Sequence, residues 1–265
     1  MEKLYTETEK KMTTFKKEKL TVKIFPTREA MGTDAAKDTA RTINELQQKK
    51  DEINMIFAAA PSQQEFMQHL ISDKSIDWSR INAFHMDEYI GLKEDAPQGF
   101  GNFLKERLFS KAPFKSIHYI DGQAQDPQKE CDRYAELLEK YPVDIVCLGI
   151  GENGHIAFND PHVADFKDPK MVKIVELDTA CRTQQVNEGQ FTQLNLVPTQ
   201  AITITIPALL KADSMFCMVP AENKTEAVYR TLNGEIDEEC PATILRTKEK
   251  AVLYLDEASA SKLKL

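Results

Sequence analysis

Short apolar runs alternate with longer amphipathic stretches along most of the chain, and the runs are rich in β-branched residues. Leu20 to Phe25 alternates apolar and polar positions, as a half-exposed strand does. Residues 28–50 carry Ala36, Ala40, Ile43 and Leu46 on one helical face, with a Lys/Glu/Gln face opposite. Asn54 to Ala59 predicts a buried strand, and the helix after it presents Phe66, Leu70 and Ile71. Ile81 to His85 predicts another strand. Helices are expected over 99–110 and 127–140, the second with Tyr134, Leu137 and Leu138 on its apolar face. Ile117 to Ile120 reads as a short edge strand between them. Val143 to Ile150 is apolar throughout, the pattern of a strand buried on both faces.

Beyond residue 161 the periodicity weakens. Residues 162–197 are rich in Asp, Lys, Gln and Asn, and a long irregular stretch of this kind predicts a lid or binding loop. Ala201 to Ile206 is a further strand, and Leu209-Leu210 begins a short helix. Ser214 to Pro220 is a strand leading through Ala221-Glu222-Asn223-Lys224 into a helix, and Ala251 to Leu255 is expected to close the sheet. Residues 1–18, rich in Lys, Glu and Thr, read as a helical or loosely docked extension. Strands alternating with helices predict an α/β fold: a doubly wound, mostly parallel, Rossmann-like sheet with helices on both faces. The 265 residues fit one such domain carrying its lid.

The chemistry-bearing residues fall at strand ends, where open α/β sheets place their sites. Gly149, Gly151 and Gly154 crowd the turn after the Val143–Ile150 strand, and glycines there let backbone approach a ligand closely. That turn holds Asn153, His155 and Asp160; without further support it could equally be a tight turn with a surface histidine. Asp87 and Glu88 follow the Ile81–His85 strand, where adjacent acids are often only solvated charge. Ser62 sits where a helix cap belongs, and free N–H groups with a hydroxyl at a helix start suit a phosphate, although serine caps helices anywhere. Lys224 lies near a helix N-terminus, where its charge opposes the helix dipole and hints at function. Gly149-Ile150-Gly151 lacks the full dinucleotide fingerprint. The spacing of His155, Asp160 and His162 matches no standard zinc pattern, so no metal is expected.

Charge and cysteine content narrow the partners. The net charge of −8 disfavours nucleic acid and anionic membrane surfaces. Five dispersed cysteines without a Cys-x-x-Cys pair suit reduced thiols in a cytoplasm; Cys147 and Cys217 lie in apolar runs as core residues do. The N-terminus is too charged for a signal peptide, and no apolar run approaches bilayer length.

Gly149-Ile-Gly-Glu-Asn-Gly-His-Ile-Ala-Phe-Asn159 resembles the signature loop of the glucosamine-6-phosphate deaminase (isomerase) family, in a superfamily shared with 6-phosphogluconolactonases. His85-Met-Asp-Glu-Tyr-Ile-Gly-Leu92 is similar to the family's Met-Asp-Glu-Tyr segment, and Pro220-Ala-Glu-Asn-Lys224 to its phosphate-lysine segment. Together these resemblances span most of residues 54–256. They imply that Asp87 is the proton-transferring base, that His155 opens the sugar ring, and that Lys224 binds phosphate. They also imply that Asn153 and Asp160 flank the histidine, and that Ala60, Ser62, Glu88 and Gly154 contact the substrate. Four positions depart from the family. Ala60-Pro61-Ser62 replaces Gly-Gly-Thr, Asn153 replaces an Asp, Asp160 replaces a Glu, and the lid arginine has only Arg182 as its nearest counterpart. Lactonase relatives carry Arg where this chain has Tyr89, which favours the deaminase branch. The implied reaction converts glucosamine 6-phosphate, or an epimer such as galactosamine 6-phosphate, and water to a ketohexose 6-phosphate and ammonia, without a cofactor. A lactonase and a non-catalytic sugar-phosphate sensor are the alternatives. The expected partner is a small sugar phosphate, with a homo-oligomer left open.

Overall fold

The computed structural model describes residues 12–264. In chain order the first elements are β1 (Thr13–Lys17), β2 (Leu20–Phe25), α1 (Arg28–Gln47), β3 (Ile53–Phe57) and α2 (Gln64–Ser72). β4 (Ile81–His85) and β5 (Asp87–Tyr89) follow with only Met86 between them, then α3 (Phe100–Leu104), β6 (Ser116–His118) and α4 (Pro127–Lys140). The second half comprises β7 (Ile145–Leu148), β8 (Val172–Glu176), α5 (Thr179–Asn187) and β9 (Gln200–Ile204). It ends with α6 (Ile206–Leu209), β10 (Ser214–Val219), α7 (Thr225–Asn233) and β11 (Ala251–Asp256).

Eight strands form the main sheet in the order β1-β2-β11-β10-β7-β3-β4-β6. Every neighbouring pair is parallel except the β1–β2 hairpin. Side chains alternate across a strand, so each central strand feeds two cores. Ile145 and Cys147 of β7 join Met55, Phe57, Met31 and Phe66 on the side covered by α1 and α2. Val146 and Leu148 join Tyr134, Leu138 and Val228 on the side covered by α4 and α7. The doubly wound architecture read from the apolar runs is therefore the one observed. Local signals set the helix starts. Thr27 accepts from the Ala30 N–H ahead of α1, and Asp126 accepts from the Gln128 and Lys129 N–H groups ahead of α4, with Pro127 at its first position. All five cysteines are buried and unpaired, and no described helix is long and apolar enough to cross a membrane.

Four expectations change. Ala251–Asp256 does not close the sheet but lies inside it, between β10 and β2. The edge belongs to β1, within the stretch expected to be a helical extension; residues 1–11 lie outside the described residues. Thr13-Thr-Phe-Lys-Lys17 conceals its strand character because a solvent-facing edge strand carries polar and lysine side chains. Residues 162–197 are more regular than their composition suggests: β8 and α5 lie within them. The buried face of α5 is Cys181, Gln184 and Gln185, which gives no apolar stripe to read. β8, β9 and β5 form a separate antiparallel sheet in the order β5-β9-β8, so the 200–204 strand leaves the main sheet and pairs Thr203 with Asp87.

Candidate active site

The chain passes outward from β3 to β4 and β6, then returns with β7 on the other side of β3. Such a reversal leaves a crevice at the carboxyl ends of the strands. A cavity of about 260 Å³ lies there. Its lining includes Ala60 and Ser62 after β3, Met86 and Asp87 after β4, Gly149 to Gly151 and His155 after β7, and Pro220, Ala221, Asn223 and Lys224 after β10.

The histidine end is a compact network. A Cβ on Gly151 would lie 2.1 Å from the His155 ring, so only glycine lets the imidazole fold back onto its own loop. This close fold brings His155 Nδ1 to 2.8 Å from Asp160 Oδ1, although the ring N–H is not aligned with that oxygen. Asp160, one methylene shorter than the family's glutamate, thus reaches the imidazole directly. Asn153 holds both partners: its Nδ2 donates to Asp160 Oδ1 at 2.8 Å, and its Oδ1 accepts from the His155 N–H. Burial works to raise the Asp160 pKa, but contact with His155, then Asn153 and the Cys181 thiol, outweighs it and keeps the carboxyl below its ordinary value. Asn153 and Asp160 stand behind His155 and do not line the cavity. Gly154, expected to touch substrate, does not line it either. It turns the loop at φ +89°, with Cys240 packed where a side chain would be.

Asp87 lines the same cavity. It is buried, and burial, aided by the Glu88 charge, lifts its pKa well above the ordinary carboxyl value. A carboxylate so placed is a stronger base than one in water. Neighbouring strand residues face opposite sides, so Glu88 points away. Its oxygens accept from the Tyr89, Phe100 and Gly101 N–H groups, anchoring the start of α3, and Glu88 is not in the cavity wall. Tyr89 packs among Phe100, Phe158 and Phe191. His85, unnoticed in the sequence, fixes the Asp87 backbone. Its Nε2 accepts from Ile120 N–H at 2.9 Å, so Nδ1 carries the proton and donates to Asp87 O at 2.9 Å. Burial, opposed by the bond to Asp87, pushes the His85 pKa down to about 4, so the ring is neutral.

Cations gather at the remaining end. Lys224 lines the cavity although it is only 7% exposed. Ser62 also lines it, but not as a helix cap. It lies inside the Pro61–Gln63 turn, where its hydroxyl accepts from Gln63 Nε2, and the residue before that turn is Ala60. Arg182 is absent from the cavity wall: its guanidinium donates to the carbonyls of Leu194 and Val197 and ties down their turn. Arg28 occupies the wall instead, held by Glu65 and the Pro61 carbonyl beside Ser62. At the first position of an ordinary helix, Arg28 offered no signal to sequence reading. Gln184, Gln185 and Glu188 reach the wall from α5 and its C-terminal end.

His155, Asp160 and Cys181 present donor atoms within 4.8 Å of one another. The 2.8 Å between imidazole and carboxylate is a hydrogen-bonding distance, shorter than the roughly 3.3 Å edge of a tetrahedron with ~2.0 Å zinc bonds. These groups form a compact polar cluster at the histidine end of the cavity. His162 lies elsewhere, its Nε2 against the Glu176 carbonyl.

Residues 26–254 match the family model described as glucosamine-6-phosphate isomerases/6-phosphogluconolactonase. A glucosamine-6-phosphate deaminase of Exiguobacterium sp. is 37% identical over 74% of this chain and 75% of its own length. One from Listeria monocytogenes is 34% identical over 80% of this chain and 88% of its own. Among solved structures, a monomeric glucosamine-6-phosphate deaminase superposes with a TM-score of 0.82 at 30% identity, covering 91% of this chain and 98% of that one. A 6-phosphogluconolactonase from Thermotoga maritima shares the fold with a TM-score of 0.74 at 20% identity, covering 90% of this chain and all of that one. With the loop, base segment and lysine segment now gathered around one cavity, the chain belongs to the glucosamine-6-phosphate isomerase/6-phosphogluconolactonase family.

Proposed function

We propose that the protein is an amino-sugar-phosphate deaminase acting on glucosamine 6-phosphate or an epimer of it. The observation that carries this reading is the pairing, across one cavity, of a buried carboxyl of raised basicity with an imidazole backed by a carboxylate. Deamination with isomerisation needs both groups. His155, backed by Asp160, gives a proton to the ring oxygen as the C1–O5 bond breaks, and an imidazole transfers protons readily near neutrality. The C1 hydroxyl gives up its proton as the aldehyde forms, and the C1 oxygen regains one as Asp87 takes the proton from C2 of the open chain and returns it to C1. The nitrogen is then bonded to an oxidised C2. Water adds there and ammonia leaves, so aminohexose phosphate plus water becomes ketohexose phosphate plus ammonia. Proton transfers of this kind each contribute about 10²- to 10⁴-fold. Lys224, Arg28 and the Ser62 hydroxyl hold the phosphate, and this remote anchoring positions C1 and C2 between base and imidazole. The buried unpaired cysteines are consistent with a reducing cytoplasm.

The resemblance places an arginine of the lactonase relatives at the position of Tyr89. Here that tyrosine is enclosed by aromatic rings. The decisive assay follows ammonia from a panel of hexosamine 6-phosphates alongside acid release from 6-phosphogluconolactone. Ammonia from at least one hexosamine phosphate is expected. Lactone hydrolysis alone would overturn the assignment, as would tight sugar-phosphate binding without product.

A further inference from the structure

Lys224 already has an anionic partner. Glu188 Oε1 lies 3.3 Å from Lys224 Nζ, and both side chains face the cavity. The glutamate is held in place from behind. Gln184 Nε2 donates to the same Glu188 oxygen at 2.8 Å, while Gln184 Oε1 accepts from the Glu152 N–H at 3.0 Å. Asn223, beside Lys224, donates to the Glu152 carboxylate at 2.8 Å. The lysine is not there to stabilise α7: it precedes the first turn of that helix, where a cation opposes the dipole. A buried ammonium so placed calls for an anion, and Glu188 supplies one from within the chain.

Resting on the reading of Lys224 as the phosphate anchor, we propose that Glu188 is an internal competitor for that anchor. Its carboxylate exchanges with the 6-phosphate on Lys224 and so sets how tightly phosphorylated sugars are held. A phosphate dianion and a carboxylate at one ammonium repel each other, and the more highly charged group wins it. Ground-state phosphate affinity is lowered accordingly, which keeps binding energy from being spent on holding substrate and product alike. A neutral sugar leaves the Lys224–Glu188 pair in place and gains nothing from it, so the competition acts on the phosphate alone. When the product departs, the carboxylate returns to the lysine through the Gln184 contact.

The test is calorimetric titration of inorganic phosphate into the full-length protein and its variants, with thermal transitions recorded as a folding control. Glu188→Gln and Glu188→Ala are both expected to bind phosphate about tenfold more tightly than wild type, an effect ordinary for removing one nearby like charge. Lys224→Met is expected to bind it at least tenfold more weakly. Unchanged or weaker phosphate binding in the Glu188 variants, with Lys224→Met impaired, would overturn the competition while leaving the anchor intact. A gain in Glu188→Gln but not Glu188→Ala would also overturn it, by showing that a new amide contact was responsible. Wild-type phosphate binding in Lys224→Met would remove the anchor itself, and the proposal with it.

Discussion

The two ends of the cavity are built on opposite principles. At the histidine end, Asn153, His155 and Asp160 come from a single loop, and Asp160 is fully buried. Each polar contact there braces another part of the same network. At the end proposed to hold the phosphate, Arg28, Ser62, Glu188 and Lys224 come from four separate segments, with Arg28 paired to Glu65 and Lys224 to Glu188. The contrast follows from the chemistry. Proton transfer depends on groups fixed within tenths of an ångström, whereas a phosphate tolerates any arrangement of cations that neutralises it. The first end is therefore expected to fail abruptly when altered and the second by degrees.

The severest break is Asp87→Asn. We expect kcat, followed by ammonia release, to fall about 10³- to 10⁴-fold, with substrate affinity within a few-fold of wild type. The same change is expected to raise the melting temperature at neutral pH. Because the folded-state pKa of Asp87 is raised, the folded chain favours its protonated form, and stability is lost as pH rises through that value. Asparagine removes the penalty. Retained turnover would place the base elsewhere.

His85 tests how rigidly the base is held. Its folded-state pKa of about 4 lies below the ordinary 6.5, so its stabilising contribution is complete above pH 6.5 and is lost as pH falls toward 4. Urea unfolding between pH 7.5 and 4.5 is expected to show a loss of about 3 kcal/mol or less from this group. His85→Asn should flatten that slope. An unaltered slope would mean that other groups carry it.

Asp160→Asn is expected to lower kcat about 10²-fold, more than Asn153→Ala, because Asn153 acts only by orienting the pair. The Asp160 loss should shrink with a substrate analogue already in open-chain form. Equal losses on cyclic and open-chain substrates would show that Asp160 does not serve ring opening. The mildest change is Arg28→Ala, for which we expect KM for the phosphorylated sugar to rise about tenfold with kcat changed less. Arg182→Ala should leave KM unaltered. The reverse ranking would return the phosphate role to the lid arginine.

The same contrast governs what could be read from the sequence. The histidine loop was legible because its parts are contiguous and its glycines rare: Gly151 is required by the ring stacked on it. The parallel core strands were legible because strands buried on both faces are apolar throughout. Arg28 was not, since a cation in the first turn of an amphipathic helix resembles any solvated residue until the fold brings it to Pro61. Arg182 misled for the complementary reason: proximity along the chain to the expected lid position says nothing about which carbonyls its guanidinium will meet. Glu88 was misplaced because two adjacent acids look equivalent until a strand sends them to opposite sides. α5 was missed because its buried face mixes polar with apolar residues, and β8 because its buried valines, Val172 and Val175, do not alternate with exposed polar positions.

Asp87 begins the short strand β5, which pairs not with the main sheet but with β9, one residue beyond β4. The loop that carries His155 is tied to β9 as well: the Phe158 N–H donates to Thr203 Oγ1 and Asn159 Nδ2 to the Ile204 carbonyl. A substitution along β9 that shifts its register against β5 would move Asp87 relative to His155 without touching either residue. The spacing of Asp87 and His155 is therefore open to adjustment from residues 200–204, with the motifs that mark the family left intact.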